Sequence, residues 1–488
     1  MSDTLASSSV ADYNLVSRPS EKGVAHALSL FAVWLTIAIS ALVFMEPAPV
    51  DLLTMGLMVL LPVVGLTRLD PKLLFGFSIW LIIFALGIVS AAVSRDAPTA
   101  TVHMFVSLYL YGACFLFASF VAKNPEAHTK LILNGYLVAS VGAACIGIAG
   151  YLDLFPGAFD HFTRYGRATS TFKDPNVFGP FLVCGLLTSL HLWLSKPLRA
   201  GLVLILPATL IMLGIFFSFS RGAWAAATLA CSIYGFLYLV TAKKNNQRVK
   251  LIALFLLAAF VAVLSIMVAL QSDKIAQMLE ERAVLAQSYD TGVDGRFGGQ
   301  NKAIEILIDN PLGIGALTFF RFYHPENVHN IYLNMFLSTT WLGGLLYLIV
   351  CLGTLVFGFQ HALKSRKTQP LFLIVYSALA ANIALGVIID TDHWRHYYLL
   401  MGVVWGLMAS DRMAPMEARR TSRILSPQLN VASIEGLSLT DTHHRGRILN
   451  RLSQPILSVP TMCRGRIVRR LQRRAKRLIV KHVTASHR

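Results

Sequence analysis

Four short polar stretches that contain arginine or histidine interrupt the long apolar runs of the chain. These stretches are RYGRATSTFKDPNVFGP (164–180), SFSRGAW (218–224), DGRFGGQNKAIEIL (294–307) and FYHPENVHNIYL (322–333). A guanidinium group is planar and always charged, so it can bind two oxygens of a phosphate or pyrophosphate at once. An imidazole can accept a proton near neutral pH. These residue types suit a site that binds a phosphate-bearing group and moves a proton beside it.

Arg221, Arg296 and His329 are the catalytic candidates, one from each of the last three stretches. Arg221 is the only charged residue between Ala200 and Ala242, and an arginine at bilayer depth costs about 3 kcal/mol on insertion scales. Alternatives remain for each candidate, because a lone arginine can reach lipid headgroups and a histidine can simply begin a helix. The substrate-binding candidates are Arg164, Arg167, Lys173, Asn176 and Asn330.

A fifth polar segment, DTDHWRH (390–396), contains an Asp-Thr-Asp pattern that resembles the metal-holding pattern of nucleotide-sugar transferases. The topology derived below places it outside the membrane, where nucleotide sugars are not supplied. His324, His329 and His393 have no i, i+4 spacing, so we predict no metal site. The six cysteines include no CxxC pair, and we interpret them as small core residues.

The composition is that of an integral membrane protein. Of the 488 residues, 55% are hydrophobic and only 14% are charged, and a span needs about 20 apolar residues. The apolar runs recur along most of the chain, so a single signal peptide does not account for them. The predicted fold is an all-α polytopic membrane protein with about twelve transmembrane helices. The predicted spans are 25–45, 49–66, 73–93, 101–121, 130–151, 177–195, 200–219, 222–241, 250–270, 341–362, 371–389 and 396–410.

The distribution of basic residues predicts the orientation of these spans. Thirteen lysines and arginines fall on one set of connections, among them Lys72, Lys123 and Lys364, against three on the opposite short loops. The positive-inside rule therefore places both termini in the cytoplasm and the polar stretches outside. Long outer segments are predicted at 152–176 and at 271–330, between spans nine and ten. Segment 331–340 is predicted to be a short surface helix.

Three domains follow from this division: a cytoplasmic segment 1–24, a transmembrane domain 25–410 and a basic cytoplasmic tail 411–488. The tail holds 17 of the 43 lysines and arginines but only four acids, which leaves +5 of the total +18 to the rest. Its last part, RIVRRLQRRAKRLIVKHV, places apolar residues near one helical face and arginines around the other. This pattern is typical of an amphipathic helix on anionic lipid. A nucleic-acid partner is the usual alternative, which membrane attachment disfavours.

The ordered set of stretches resembles the O-antigen ligase and O-antigen polymerase superfamily of bacterial envelope glycosyltransferases. The matching pieces are RATSTFKDPNVFG, SFSRGAW, GRFGGQNKAIEILIDNPLGIG and HNIYLNMFLSTTWLGG. They occur in the family's order, within residues 25–410, together with a large outer loop between spans nine and ten. SRGAW alone is a weak pattern, and the ordered set carries the resemblance.

The resemblance implies a GT-C-like helical enzyme in the bacterial inner membrane, with its active site facing the periplasm. The donor would be a glycan linked to undecaprenyl pyrophosphate, transferred without a cofactor, a metal or a nucleotide sugar. By position, Arg221 would hold the donor pyrophosphate and Arg296 would offset charge on the leaving group. His329 would orient or deprotonate the acceptor hydroxyl in a single inverting displacement. Arg167 and Lys173 would contribute to the same anion site.

The acceptor stays open between two enzymes. A ligase transfers the glycan to lipid A-core, whereas a polymerase transfers it to a second lipid-linked glycan. The HN histidine and the single large loop favour the ligase. A transporter or flippase would place charges within its spans and is disfavoured by their position at one face. A non-catalytic assembly partner is a further alternative.

Overall fold

The computed structural model describes residues 21–196, 205–242, 245–269, 273–283 and 294–410, together with residues 203, 271 and 292. The predicted basic tail, which includes Cys463 and the amphipathic pattern, lies outside these residues. The division into domains and the role of the tail therefore stay predictions. The helices are α1 (Glu21–Ala38), α2 (Pro49–Val63), α3 (Pro71–Ala92), α4 (Ala97–Lys123), α5 (Pro125–Tyr151), α6 (Ala158–Phe162), α7 (Pro175–Ser195), α8 (Ile205–Phe217), α9 (Arg221–Thr241), α10 (Asn245–Ala269), α11 (Asp273–Ala283), α12 (Arg296–Asp309), α13 (Thr318–Phe322), α14 (Ile331–Ala362), α15 (Gln369–Leu385) and α16 (Arg395–Ser410).

The prediction of an all-α membrane protein is confirmed at this level. Six of the described helices, α3, α4, α5, α7, α9 and α14, are long and apolar enough to cross a membrane, and α1, α2, α8 and α15 are shorter apolar helices. A helix occupies each of the twelve predicted span positions. The number of crossings and the GT-C-like architecture stay predictions.

The only sheet among the described residues is a two-stranded antiparallel hairpin. Strand β1 (Thr163–Arg164) pairs with β2 (Arg167–Ala168) in the predicted outer segment between α5 and α7. The turn uses residues with positive φ, Tyr165 at 53° and Gly166 at 66°. This hairpin holds Arg164 and Arg167 beside the start of α7.

Short polar side chains followed by proline begin several of the apolar helices. Asp70, Asn124 and Asp174 each accept a backbone N–H from the first turn of the following helix, and proline comes next in each case. The capping oxygen satisfies an N–H that has no partner in the helix, and proline has no N–H to satisfy. The predicted start of a helix at DPN (174–176) is confirmed.

The helices pack closely where glycine faces a neighbouring backbone. Helix α16 packs along α4, and a Cβ added at Gly402 or Gly406 would lie 2.5 Å from the carbonyl oxygens of Cys114 or Ala118. The ring of Trp80 fills the adjoining core and stacks on Tyr111. Helix α9 packs against α15 and α7, which brings the start of α9 beside the end of α15.

Helix α14 contains an interruption near its N-terminal end, at the boundary of the predicted short helix 331–340. Thr340 has φ 86° and ψ 166°, so it divides α14 into two helical pieces. Its neighbour Trp341 donates its backbone N–H to Pro311 and its indole N–H to Leu307. The start of the second piece of α14 is thereby attached to the end of α12 and the residues that follow it. Its position at the membrane surface stays a prediction.

The cysteines differ in part from the prediction. Five described cysteines are free, and three of them are buried. Cys145 is exposed and Cys231 is half-buried, so the interpretation of all six as core residues is wrong for Cys145. The reason is that a helix in a lipid bilayer can present apolar residues outward as well as inward.

Candidate functional site

Arg167 forms hydrogen bonds that hold the turn before Arg221 in place. The Arg167 Nε donates to the carbonyl oxygen of Ser218 at 2.9 Å, and its Nη2 donates to Asn176 Oδ1 at 2.8 Å. The same Asn176 oxygen accepts the hydroxyl of Ser220 at 2.8 Å. Arg167 is only 7% exposed and holds the chain around SFSRGAW through these bonds, and its role in binding substrate stays a prediction, as does that of Asn176.

Arg221 is the first residue of α9, as the predicted hairpin between two apolar segments requires. Ser220 caps this helix by accepting the N–H of Ala223 at 3.2 Å. The preceding residue, Phe219, has φ 44°, which turns the chain sharply between α8 and α9. The half-buried Arg221 lies at a helix N-terminus, a position that favours anions.

The backbone of His329 is fixed in an unusual conformation by two long-range contacts. Its φ is 50°, a region that non-glycine residues enter at a cost of about 1–3 kcal/mol. Its N–H donates to Asp390 Oδ2 at 3.2 Å, and its carbonyl accepts from Gln300 Nε2 at 3.3 Å. These contacts join the HN segment to α12 and to the loop before α16.

The imidazole of His329 is paired with a carboxylate. His329 Nε2 lies 3.1 Å from Glu326 Oε2. A carboxylate at neutral pH only accepts hydrogen bonds, so Nε2 carries the proton and Nδ1 keeps a lone pair. This is the arrangement of a carboxylate that orients a histidine base.

Charges from two other stretches act on the same imidazole. Burial lowers the pKa of His329 below its ordinary value, and the nearby Arg296 charge lowers it further, whereas Glu326 and Asp174 act in the opposite direction. Arg296 and Asp174 are therefore near enough for their charges to act on the His329 imidazole, although Asp174 is 155 positions away in the sequence. The net result is a histidine that is neutral near pH 7.

Arg221 and His329 also adjoin the same helix end. A Cβ on Gly222 would lie 3.0 Å from the side chain of Leu385, and Ile331 donates its N–H to Gly386 at 2.9 Å. The end of α15 thus lies between the start of α9 and the HN segment. The four polar stretches of the sequence converge in one region.

The contact between Asp390 and the backbone of His329 was not predicted from the sequence. Burial raises the pKa of Asp390 to about 7, and the nearby charge of Asp392 adds to this effect, while N–H groups including that of His329 oppose it. From the sequence, the Asp-Thr-Asp pattern is considered only as a metal-binding pattern, and no metal site is predicted. Its first carboxylate instead holds the backbone of the histidine.

Three predicted substrate-binding residues make local contacts. Arg164 donates to the carbonyl of Lys173 at 2.9 Å and lies over the ring of Tyr165. Lys173 is exposed and pairs with Glu46 at 3.0 Å. Asn330 caps α14, since its Oδ1 accepts N–H groups from Tyr332 and Leu333. The contacts described here give these side chains structural roles, and a role in binding substrate stays a prediction.

One cluster of possible metal ligands is present among the described residues. The ligand atoms of His103, Asp392 and His393 all lie within 4.8 Å of one another. His103 and Asp392 pair at 3.2 Å, His393 bonds to Ser107, and the two imidazole rings stack at 3.8 Å. Burial acts to raise the pKa of Asp392, but the hydrogen bond to His103 and the charges of His393 and His103 lower it to about 2. The donors satisfy one another, so we interpret the cluster as a hydrogen-bonded network.

Comparison with known families fits this geometry. Residues 202–348 match the O-antigen ligase family. The matched segment contains Arg221, Arg296 and His329, and the resemblance predicted from the sequence is thereby confirmed. The match supports an activity of the O-antigen ligase or polymerase type, for which lipid-linked glycans are the general class of substrate. No curated protein matches the chain.

Proposed function

We propose that the protein transfers a glycan from undecaprenyl pyrophosphate to a sugar hydroxyl at the periplasmic face of the inner membrane. The observation that carries this proposal is the convergence on His329. One neutral, carboxylate-paired histidine lies beside Arg296 and Asp174, and it shares the end of α15 with Arg221. A proton acceptor and anion-binding groups are the two requirements for displacing a pyrophosphate with a hydroxyl.

The proposed reaction is a single displacement. The acceptor hydroxyl oxygen attacks the anomeric carbon of the donor, the bond between that carbon and the pyrophosphate oxygen breaks, and the configuration inverts. His329 Nδ1 takes the hydroxyl proton, while Glu326 holds the imidazole by its Nε2. Undecaprenyl pyrophosphate leaves with the electron pair of the broken bond.

The arginines stabilise the negative charge that develops on the leaving group. Arg221 and Arg296 are the first residues of α9 and α12, and each brings a guanidinium to an end of a helix that already favours anions. Loss of one such donor costs about 10²–10³-fold in rate in enzymes of this general type. Arg167 supports the same site by fixing the turn before Arg221.

Lipid A-core is the proposed acceptor, which makes the enzyme a ligase. The alternative acceptor is a second lipid-linked glycan, as in an O-antigen or exopolysaccharide polymerase. The large segment between α10 and α14 holds α11, α12 and α13 and offers a surface for a bulky acceptor. The contacts of His329 with Gln300, Asp390 and Glu326 serve either acceptor.

The surface glycans of a deletion strain distinguish these functions. A ligase predicts core lipid without polymer, together with accumulated lipid-linked polymer. A polymerase predicts core carrying a single repeat unit. Unchanged lipopolysaccharide with loss of a secreted polysaccharide would identify an exopolysaccharide enzyme, and unchanged glycans of all kinds would contradict the proposal.

A further inference from the structure

A large groove lies away from the candidate site, at the end of the molecule where α3 begins and where α14 and α16 end. Its volume is about 570 Å³. The floor is the indole of Trp405, whose Nε1 donates to Thr354 Oγ1 at 2.9 Å. A Cβ on Gly76 would lie 2.6 Å from the same ring, so glycine lets α3 approach and the groove remain open above it.

The walls of the groove are apolar and exposed. Phe75 of α3 is 69% exposed and Phe357 of α14 is 64% exposed. Ile79 and Ile349 continue the two walls along the helices. Side chains of this kind are compatible with lipid chains and would be costly to leave against water over such an area.

One end of the groove is basic. Lys72, Lys364 and Arg366 line it together with Gln360 and His361. Among the described residues that line the groove, none is acidic. The nearest acid in the sequence, Asp70, caps α3 by accepting the N–H of Lys72.

We propose that this groove binds one anionic glycerophospholipid. Its phosphate headgroup lies at Lys72, Lys364 and Arg366, and its acyl chains lie along the apolar walls of α3 and α14. The positive-inside prediction places this end in the cytoplasm, so the lipid belongs to the cytoplasmic leaflet. Basic residues at that surface attract anionic lipid, and the excess of positive charge selects a headgroup with net negative charge over a zwitterionic one.

The chain's own tail does not complement this groove. Residues 411–488 carry 17 lysines and arginines against four acids, so the tail would add positive charge to a site that already has it. A second copy of the chain would bring the same basic end. Charge complementarity therefore favours an anionic lipid over both.

The test uses the full-length protein purified in mild detergent and native mass spectrometry of retained lipid. The probes are phosphatidylglycerol and phosphatidylethanolamine with identical acyl chains. We expect selective retention of phosphatidylglycerol. The double variant Lys72→Ala/Lys364→Ala should weaken its apparent affinity at least about tenfold. The matched control, Lys123→Ala/Lys130→Ala, removes two exposed lysines from the same predicted side and should bind as wild type.

A second pair of variants tests the acyl groove. Gly353 lines the groove, and a Cβ there would meet nothing closer than 4.0 Å, so Gly353→Leu fills the space without a clash near the backbone. We expect it to lose the lipid, whereas Gly142→Leu, at an open position of α5, should retain it.

Equal retention of the two lipids by wild type, equal loss in both lysine variants, or retention in Gly353→Leu would each overturn the proposal. Loss of the lipid in the tail variant Arg473→Ala/Arg474→Ala, with retention in the groove variants, would overturn it also.

Discussion

The backbone N–H of His329 donates to the carboxylate of Asp390 across a gap of 61 residues in the sequence. This bond fixes the candidate base from the loop before α16, at a residue whose φ of 50° is unfavourable without support. The conformation of the HN segment therefore depends on a side chain outside the matched family segment. Asp390 is a positioning residue, because it acts through His329.

The pH dependence of protein stability should show that the carboxyl group of Asp390 is buried. Its folded pKa, about 7, lies above the ordinary value of 3.8, so its stabilising contribution is full below pH 3.8 and is lost as the pH rises to about 7. The melting temperature of Asp390→Asn should therefore rise relative to that of wild type between pH 4 and pH 7. Above pH 7 the difference between the two should stay constant. Thermal unfolding in detergent at several pH values measures this difference.

Asp392 provides the matched control for that series, because it lies two residues away with the opposite shift. The folded pKa of Asp392, about 2, lies below its ordinary value. The contribution of Asp392 to stability is therefore lost only as the pH falls toward 2 and is constant from about pH 5 upward. Loss of the Asp392 charge removes one of the two causes that raise the pKa of Asp390, while burial, the larger cause, remains. The difference between Asp392→Asn and wild type should therefore vary less between pH 5 and pH 8 than the difference for Asp390→Asn. A pH-dependent difference for Asp392 and none for Asp390 would show that the two carboxylates are assigned the wrong way round.

Glu326 should control the acid side of the pH–activity profile. The carboxylate of Glu326 raises the pKa of His329 against the lowering effects of burial and of Arg296. Its removal in Glu326→Gln lowers that pKa further, so the rate should begin to fall at a lower pH than in wild type. Glu305→Gln, at an exposed residue of α12 that pairs with Lys302, should leave the profile unchanged. A shift to higher pH would contradict the pairing of Glu326 with the base.

Arg167 should be important for stability and Arg164 should not. Arg167→Ala removes the donor to the carbonyl of the buried Ser218 and one of the two donors to the half-buried Asn176, at a cost of about 2–3 kcal/mol. Arg164 belongs to the same hairpin but is exposed, and Arg164→Ala should change the free energy of unfolding by about 0.5 kcal/mol or less. Chemical denaturation of the purified variants compares the two values. Similar losses of stability in both variants would show that the bonds from Arg167 to Ser218 and Asn176 are not needed to hold SFSRGAW.

The orientation of the large segment can be tested by labelling. In a cysteine-free background, Gly298→Cys should react with an impermeant thiol reagent added from the periplasmic side. Ser365→Cys, in the connection between α14 and α15 that is predicted to be cytoplasmic, should react only after the membrane is opened. The reverse pattern would invert the topology, and with it the assignment of the active site to the periplasm.

The helices and their starts could be predicted from local sequence, because their causes are local. Asp174 followed by Pro175 is a helix start by capping and by the missing proline N–H. Arg221 was placed at a hairpin turn since 43 residues with one charge are too long for one span. Apolar runs and capping residues lie next to each other in the chain, and their effect does not depend on distant contacts.

The support of the site could not be predicted, because it depends on distances that the sequence does not contain. Arg167 carries the same charge whether it binds a pyrophosphate or the carbonyl of Ser218, and only the fold shows the second. The contacts of His329 with Asp390 and Gln300 likewise join separate segments. Glu326, three residues before His329, was the one local signal that could have identified the carboxylate partner.

The most direct measurement is transfer of a glycan from its undecaprenyl-pyrophosphate carrier to acceptor by purified protein. Wild type should form the product and release undecaprenyl pyrophosphate in equal amounts. Arg221→Ala and His329→Ala should each abolish transfer, while His161→Ala, at an exposed histidine of α6, should remain active. All variants should show the same expression and membrane insertion. Wild-type rates in Arg221→Ala and His329→Ala would contradict the account.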